Sequence, residues 1–104
     1  MNESFVEIGY LDDVPPGTLS RARAAGRRLL IANADGEILV TDEMCTHEDA
    51  SLYLGALKDH CVSCPLHGSR FDLRTGRPLE EPATEPLRTY PVRIEDGRIL
   101  VRIA

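Results

Sequence analysis

Tryptophan is absent from this chain of 104 residues, and only 5% of its residues are aromatic. No apolar run approaches the roughly 20 residues that a helix needs to cross a bilayer. The opening Met1-Asn2-Glu3-Ser4 carries an acid where a secretory leader carries basic residues. No membrane association and a cytoplasmic location are therefore expected. Positive charge is in short supply: 12 Lys and Arg stand against 17 Asp and Glu, a formal charge of -5. A phosphate backbone wants a basic face, and the small cluster Arg21, Arg23, Arg27, Arg28 reads as solvated strand positions, so nucleic acid is excluded as a partner. Net negative charge instead favours docking onto basic partners. Only three cysteines are present. In a short chain without a leader, they argue for metal binding rather than a disulfide framework.

Long periodic segments are missing too. Glycine and proline, 8 and 7 of them, cut the chain into short pieces. Phe5 to Ile8 reads as a strand, and Leu11 to Gly17, with Pro15-Pro16, as a turn. Thr18 to Arg23 is ambiguous between helix and strand, but its alternating Leu19, Arg21 and Arg23 and the early stop at Gly26 favour a strand. Leu29 to Ala32 and Glu37 to Val40 predict a hairpin around a four-residue turn, Asn33-Ala34-Asp35-Gly36. Further on, Phe71 to Leu73 and Arg77 to Leu79 flank a turn at Arg74-Thr75-Gly76. Glu80 to Pro86, with Pro82 and Pro86, reads as an extended loop. Tyr90 to Ile94 and Arg98 to Ile103 pair around Glu95-Asp96-Gly97, in which Asp96-Gly97 is the strongest hairpin signal in the chain. Many short strands between Gly and Pro turns predict one all-β domain, a sandwich or a small barrel.

Against this background one stretch carries chemistry. Cys45-Thr46-His47 and Cys64-Pro65-Leu66-His67 each present a thiol and an imidazole from a short segment, with 16 residues between His47 and Cys64. A single Cys or His is ordinarily a core or surface residue; two such pairs at this spacing predict a four-ligand metal site. Cys and His also suit a closed tetrahedral zinc site, and ligand type alone leaves that alternative open. A competing set takes Cys61 and Cys64 as a Cys-x-x-Cys with His60 and His67. It strands Cys45 and His47 without a role. The simpler reading makes Cys61 a half-buried free thiol and His60 an exposed turn residue.

Cys-x-His followed by Cys-x-x-His is the ligand order of a Rieske centre. With Gly68-Ser69-Arg70-Phe71-Asp72, Thr75-Gly76 and Tyr90-Pro91-Val92, the chain resembles a Rieske-type ferredoxin over its C-terminal two thirds. The resemblance implies an all-β Rieske fold spanning residues 1–104. Its antiparallel sandwich base would be formed by strands within 29–40 and 89–103, with a cluster-binding subdomain at about 43–72 inserted in it. It implies one [2Fe-2S] cluster per chain, with Cys45 and Cys64 on the inner iron and His47 and His67 on the outer, and Pro82 in a loop covering the site. The role implied is electron transfer without catalysis. Electrons would pass from a ferredoxin reductase using FAD and NAD(P)H to a terminal Rieske oxygenase in the breakdown of aromatic compounds.

Other members of that resemblance fit less well. An oxygenase subunit needs a mononuclear iron held by two further histidines and a carboxylate, and this chain has three histidines in all. Respiratory members bring a membrane anchor and two more cysteines, which would fall at Ala50 and Leu66. A small subunit of a larger reductase, such as nitrite reductase, and a structural zinc module remain as alternatives. High-potential members also place a tyrosine hydroxyl where Phe71 stands and a serine hydroxyl where Ser69 stands. Keeping only the second predicts a reduction potential toward the low end of the Rieske range.

Overall fold

The computed structural model describes residues 4–47, 49–66, 68–80 and 83–103. Among them are ten strands: β1 (Phe5–Tyr10), β2 (Leu19–Ala24), β3 (Arg27–Ala34), β4 (Glu37–Asp42), β5 (Ala56–Lys58), β6 (Cys61–Ser63), β7 (Arg70–Asp72), β8 (Thr89–Tyr90), β9 (Val92–Glu95) and β10 (Arg98–Arg102). They form three sheets, ordered β1-β10-β9, β2-β3-β4-β8 and β5-β6-β7, with every pairing antiparallel. The only helical segments described are two single 3-10 turns, Leu11–Asp13 and Leu52–Leu54. No described helix is long and apolar enough to cross a membrane. The all-β expectation holds, and the ambiguous Thr18 to Arg23 segment is resolved as strand: β2 pairs with β3 from Leu19 opposite Ala32 to Ala24 opposite Arg27.

Two turns differ from expectation, each for a local reason. The β3–β4 turn holds two residues rather than four, because pairing runs on to Ala34 opposite Glu37. Asp35 and Gly36 take φ of 56° and 102°, the doubly positive pair whose twist suits adjacent strands. Asn33 is drawn into the strand by its side chain, which donates to the Val14 carbonyl at 2.8 Å and accepts the Gly36 N–H at 2.7 Å. The second difference lies at Pro91. The run Tyr90 to Ile94 is not one strand, since the chain changes sheets there: Tyr90 pairs with Val40 and Val92 with Val101. Proline has no N–H to continue a ladder, while its carbonyl accepts the Arg102 N–H at 3.1 Å.

Strand β3 is the shared floor of the molecule. Alternate residues of a strand face opposite ways. Leu29 and Ile31 enter one buried cluster with Val14, Ile38, Val40, Tyr90, Ile99 and Val101. Leu30 and Ala32 enter a second with Leu52, Val62, Phe71, Leu73 and Leu87. That double coverage explains why Leu29 to Ala32 reads as a continuous apolar run. The strands of the third sheet have three residues each, too short to stand alone. Burying Val62, Phe71 and Leu52, each fully inaccessible, contributes about 1.5–3 kcal/mol apiece and fixes the third sheet on the β3 face. In chain order this sheet lies between β4 and β8 of the base.

Candidate metal centre

The two candidate ligand pairs stand on loops that leave and re-enter the third sheet's side of the molecule. The first loop is closed at its base by backbone bonds. Glu43 N–H donates to the Arg28 carbonyl at 3.0 Å, Leu52 N–H to the Glu43 carbonyl at 2.9 Å, and Cys45 N–H to the Ala50 carbonyl at 2.9 Å; Met44 bridges Ser51. Cys45 and Ala50 are thereby turned inward and buried, while Thr46, His47 and Asp49 stay exposed. The second loop follows β6, whose last residue, Ser63, pairs with Arg70. Cys64 N–H donates to the Ser69 carbonyl at 2.7 Å, and Gly68 N–H to the Cys64 carbonyl at 3.1 Å. Gly68 has φ of 76°, a conformation that lets the loop turn back at once and that a side chain strains. Pro65 and Leu66 are exposed at its tip.

Cys45 and Cys64 meet in the same buried cluster, with Leu30, Ala50 and Phe71. Their residues are only 6% and 3% exposed, and both thiols are free of disulfides. Two buried thiols on facing loops, with the exposed imidazole of His47 beside them in sequence, form a donor set that would suit a cluster with one thiolate-held and one imidazole-held iron. His67, Pro82 and Glu48 lie outside the described residues. Cys61 is half-buried and free, as expected. It shares with Ala56, Lys58, Val62, Ser63 and Arg70 a shallow groove, whereas Cys64 enters the core. Cys61 and Cys64 therefore serve different faces, contrary to a shared Cys-x-x-Cys site. His60 is partly exposed in the β5–β6 turn, with Nε2 3.9 Å from an Asp72 carboxylate oxygen.

A buried carboxylate beside the first loop was not foreseen. Glu43, two residues before Cys45, is 2% exposed. Its carboxylate accepts from the Ser51 hydroxyl and from Arg28 Nε and NH2 at 3.3 and 3.4 Å, with Arg21 at 3.8 Å. Burial pushes this carboxyl's pKa up, but the Ser51 and Arg28 hydrogen bonds and the charges of Arg28 and Arg21 together hold it below the usual carboxylate value. The side chain so clamped ties both ends of the first loop to β3. Two members of the arginine cluster are therefore partners of a buried acid rather than purely solvated positions. The β3–β4 register carried the signal: with Leu29 opposite Asp42, the next pair is Arg28 and Glu43.

Apolar side chains pack with both thiols. Phe71 is completely buried and Ser69 has no exposed surface. The Ser69 hydroxyl accepts the Ala83 N–H at 3.1 Å, leaving its own hydrogen unspent in that bond.

Known proteins resemble the chain over its whole length. Residues 4–91 match the Rieske [2Fe-2S] domain family. The ferredoxin component of the naphthalene 1,2-dioxygenase/salicylate 5-hydroxylase systems of Ralstonia sp. is 36% identical over 103 residues, 99% of each chain. The Sphingomonas yanoikuyae B1 ferredoxin superposes with a TM-score of 0.92 at 33% identity, covering 97% of this chain and 100% of that one. A chain of the complex of reduced oxygenase and oxidized ferredoxin in carbazole 1,9a-dioxygenase superposes with a TM-score of 0.89 at 31% identity, covering 97% and 94%.

Proposed function

The chain belongs to the Rieske [2Fe-2S] domain family, and on that footing we propose that it is a one-electron ferredoxin. It takes electrons from a flavin-dependent NAD(P)H ferredoxin reductase and delivers them to a terminal Rieske oxygenase of an aromatic-ring dioxygenase system. Relatives matched end to end bear the name of ferredoxin component of such systems. The observation that carries the reading to this chain is the meeting of Cys45 and Cys64, two thiols outside any disulfide, in one buried cluster at the bases of facing loops.

The residues have separate tasks. Cys45 and Cys64 hold the inner iron of one cluster per chain, and His47 and His67 the outer. Bound in this way, a [2Fe-2S] cluster supplies a one-electron couple whose potential is raised by exchanging two thiolates for neutral imidazoles. Phe71, Leu30 and Ala50 exclude water from the thiol side. The loops of about 43–72 act as the cluster-binding unit of a single domain. Exposed His47, Pro65 and Leu66 form the face a partner approaches, which keeps the transfer distance short. Drawing on NAD(P)H places the work in the cytoplasm.

Anaerobically purified protein tests this. It is expected to be coloured, to release acid-labile sulfide, to bleach on addition of NADH with a flavin ferredoxin reductase, and to regain colour when an oxidised terminal oxygenase is added. Colourless protein holding zinc and no sulfide overturns the reading.

A further inference from the structure

The four arginines of β2 and β3 do not act together. Arg27 turns to one side of the sheet, where its NH1 donates to the Tyr90 hydroxyl at 3.4 Å. Arg21, Arg23 and Arg28 line a groove of about 370 Å³ with Ala22 and the buried Glu43. In the β2–β3 ladder Arg23 stands directly opposite Arg28, and Arg21 lies two residues along on the same face. Like charges facing each other across a ladder repel. Only Glu43 answers them in the groove, and its carboxylate is already engaged, by the Ser51 hydroxyl and by Arg28 Nε and NH2, with Arg21 NH1 at 3.8 Å. Arg28 NH1 stands outside that pair, and the Arg23 side chain has no hydrogen bond or ion pair among the described residues. Arg21 is steadied by the Tyr53 ring, with its guanidinium carbon 4.8 Å from the centroid. Three guanidiniums thus share one concavity with a single, saturated carboxylate, in a chain whose formal charge is -5.

We propose that this groove is a binding site for a small oxyanion of phosphate type, free phosphate or the phosphate of a monoester, held between Arg23 and Arg28 with Arg21 at its rim. The inference goes beyond the electron-carrier reading and does not depend on it. A guanidinium presents its N–H donors as a planar fork that matches two oxygens of a phosphate, and bonds between the two are charge-assisted. An anion seated between Arg23 and Arg28 also relieves the repulsion that Glu43, with its oxygens already taken, leaves uncompensated. The surrounding charge selects a small ligand. An acidic protein would meet repulsion from the rest of a net negative surface, and a nucleic acid needs a run of phosphate contacts where this face offers one. A single ion brings no second surface with it. Because Arg23 takes no part in the hydrogen bonds that hold Glu43, ligand binding and closure of the first loop can be separated by substitution.

The test titrates the protein as purified with inorganic phosphate and, separately, with glycerol 3-phosphate in a calorimeter. The pH is about 7.5, where both are mainly dianions, and chloride holds the ionic strength constant. The variants are Arg23→Gln, Arg23→Lys and, away from the groove, Arg74→Gln, whose arginine pairs with Glu37. The wild type is expected to bind at one site with a dissociation constant on the order of 1 mM. Arg23→Gln should weaken binding by about tenfold or more, Arg23→Lys by less, since the charge stays while the fork is lost, and Arg74→Gln should match the wild type. Tighter binding of the ester than of phosphate names an ester as the ligand, and the reverse names free phosphate. In urea without phosphate, Arg23→Gln should unfold no earlier than the wild type, because it removes a repulsion and no bond. Heats that do not saturate by about 50 mM, equal affinity in Arg23→Gln, equal weakening in Arg74→Gln, or a marked loss of stability in Arg23→Gln without phosphate would each overturn the site.

Discussion

The two ligand loops reach the same end by different means. The first is latched by side chains: buried Glu43 gathers Ser51 and Arg28 from both sides of the loop. Among the described residues the second is closed by its own backbone, through Cys64, Gly68 and Ser69, and relies on a positive φ at Gly68. The difference follows from where the loops sit. The first springs from β4 beside the start of β3, where cross-strand charges are within reach. The second is a tight turn between three-residue strands, where few side chains can cross. The first loop is therefore sensitive to charge chemistry and the second to backbone freedom.

The largest effect is expected where the loops converge. Replacing Cys45 or Cys64 by Ser removes a thiolate from each loop in turn and should abolish or severely deplete bound iron and sulfide. Cys61→Ser, on the other face of β6, should leave both at wild-type levels. Metal and sulfide assays on the three purified variants check this, and equal depletion in Cys61→Ser would break the ligand assignment.

Next come the latches themselves. Glu43→Gln removes a buried charge from Arg28 and Ser51 and should cost about 2 kcal/mol, in the range for hydrogen bonds to charged groups. Among the described residues, chain neighbours aside, none has an atom within 4 Å of the carbon that Gly68→Ala adds, so its expected cost is conformational, about 1 kcal/mol. Urea unfolding of the two variants compares them. If Gly68→Ala proved the more damaging, the contrast between a side-chain latch and a backbone latch would be wrong.

The base provides the smallest effect, at Tyr90 of β8. The Tyr90 hydroxyl donates to an Asp42 carboxylate oxygen and accepts from Arg27. Burial, then the Asp42 hydrogen bond, raises its pKa against the opposing effect of Arg27. A phenol whose pKa is raised on folding contributes stability that is fully present below the unfolded value, about 10. That contribution is lost as pH rises through the folded value, because the unfolded chain deprotonates first. The unfolding midpoint of the wild type should therefore fall more steeply above pH 10 than that of Tyr90→Phe. Parallel profiles would remove Tyr90 from this account.

Much of this was legible in the sequence, and what was not has a physical cause. Turn chemistry at Asp35-Gly36 and Asp96-Gly97 and alternation in β2 disclosed the hairpins, and paired Cys and His spacing disclosed the loops. The length of the β3–β4 turn was misjudged because Asn33 looks like a turn residue, while its amide binds Val14 nineteen positions away. Tyr90 to Ile94 looked like one strand because apolar residues flank Pro91 and the sequence does not say that they serve different sheets. Glu43 passed unnoticed because the second of two adjacent acids, after Asp42, reads as solvated until the register puts Arg28 opposite it.

The reduction potential tests the central claim most directly. Of the positions where high-potential members place a donor or a disulfide, Phe71 is fully buried without a hydroxyl, Ala50 and Leu66 are not cysteines, and Ser69 keeps its hydroxyl. With few donors to stabilise added charge, protein-film voltammetry should place the midpoint near the low end of the Rieske range, about -150 mV, suited to a carrier charged from NAD(P)H through a flavin. A midpoint above zero would contradict the account of this chain as a ferredoxin feeding an oxygenase.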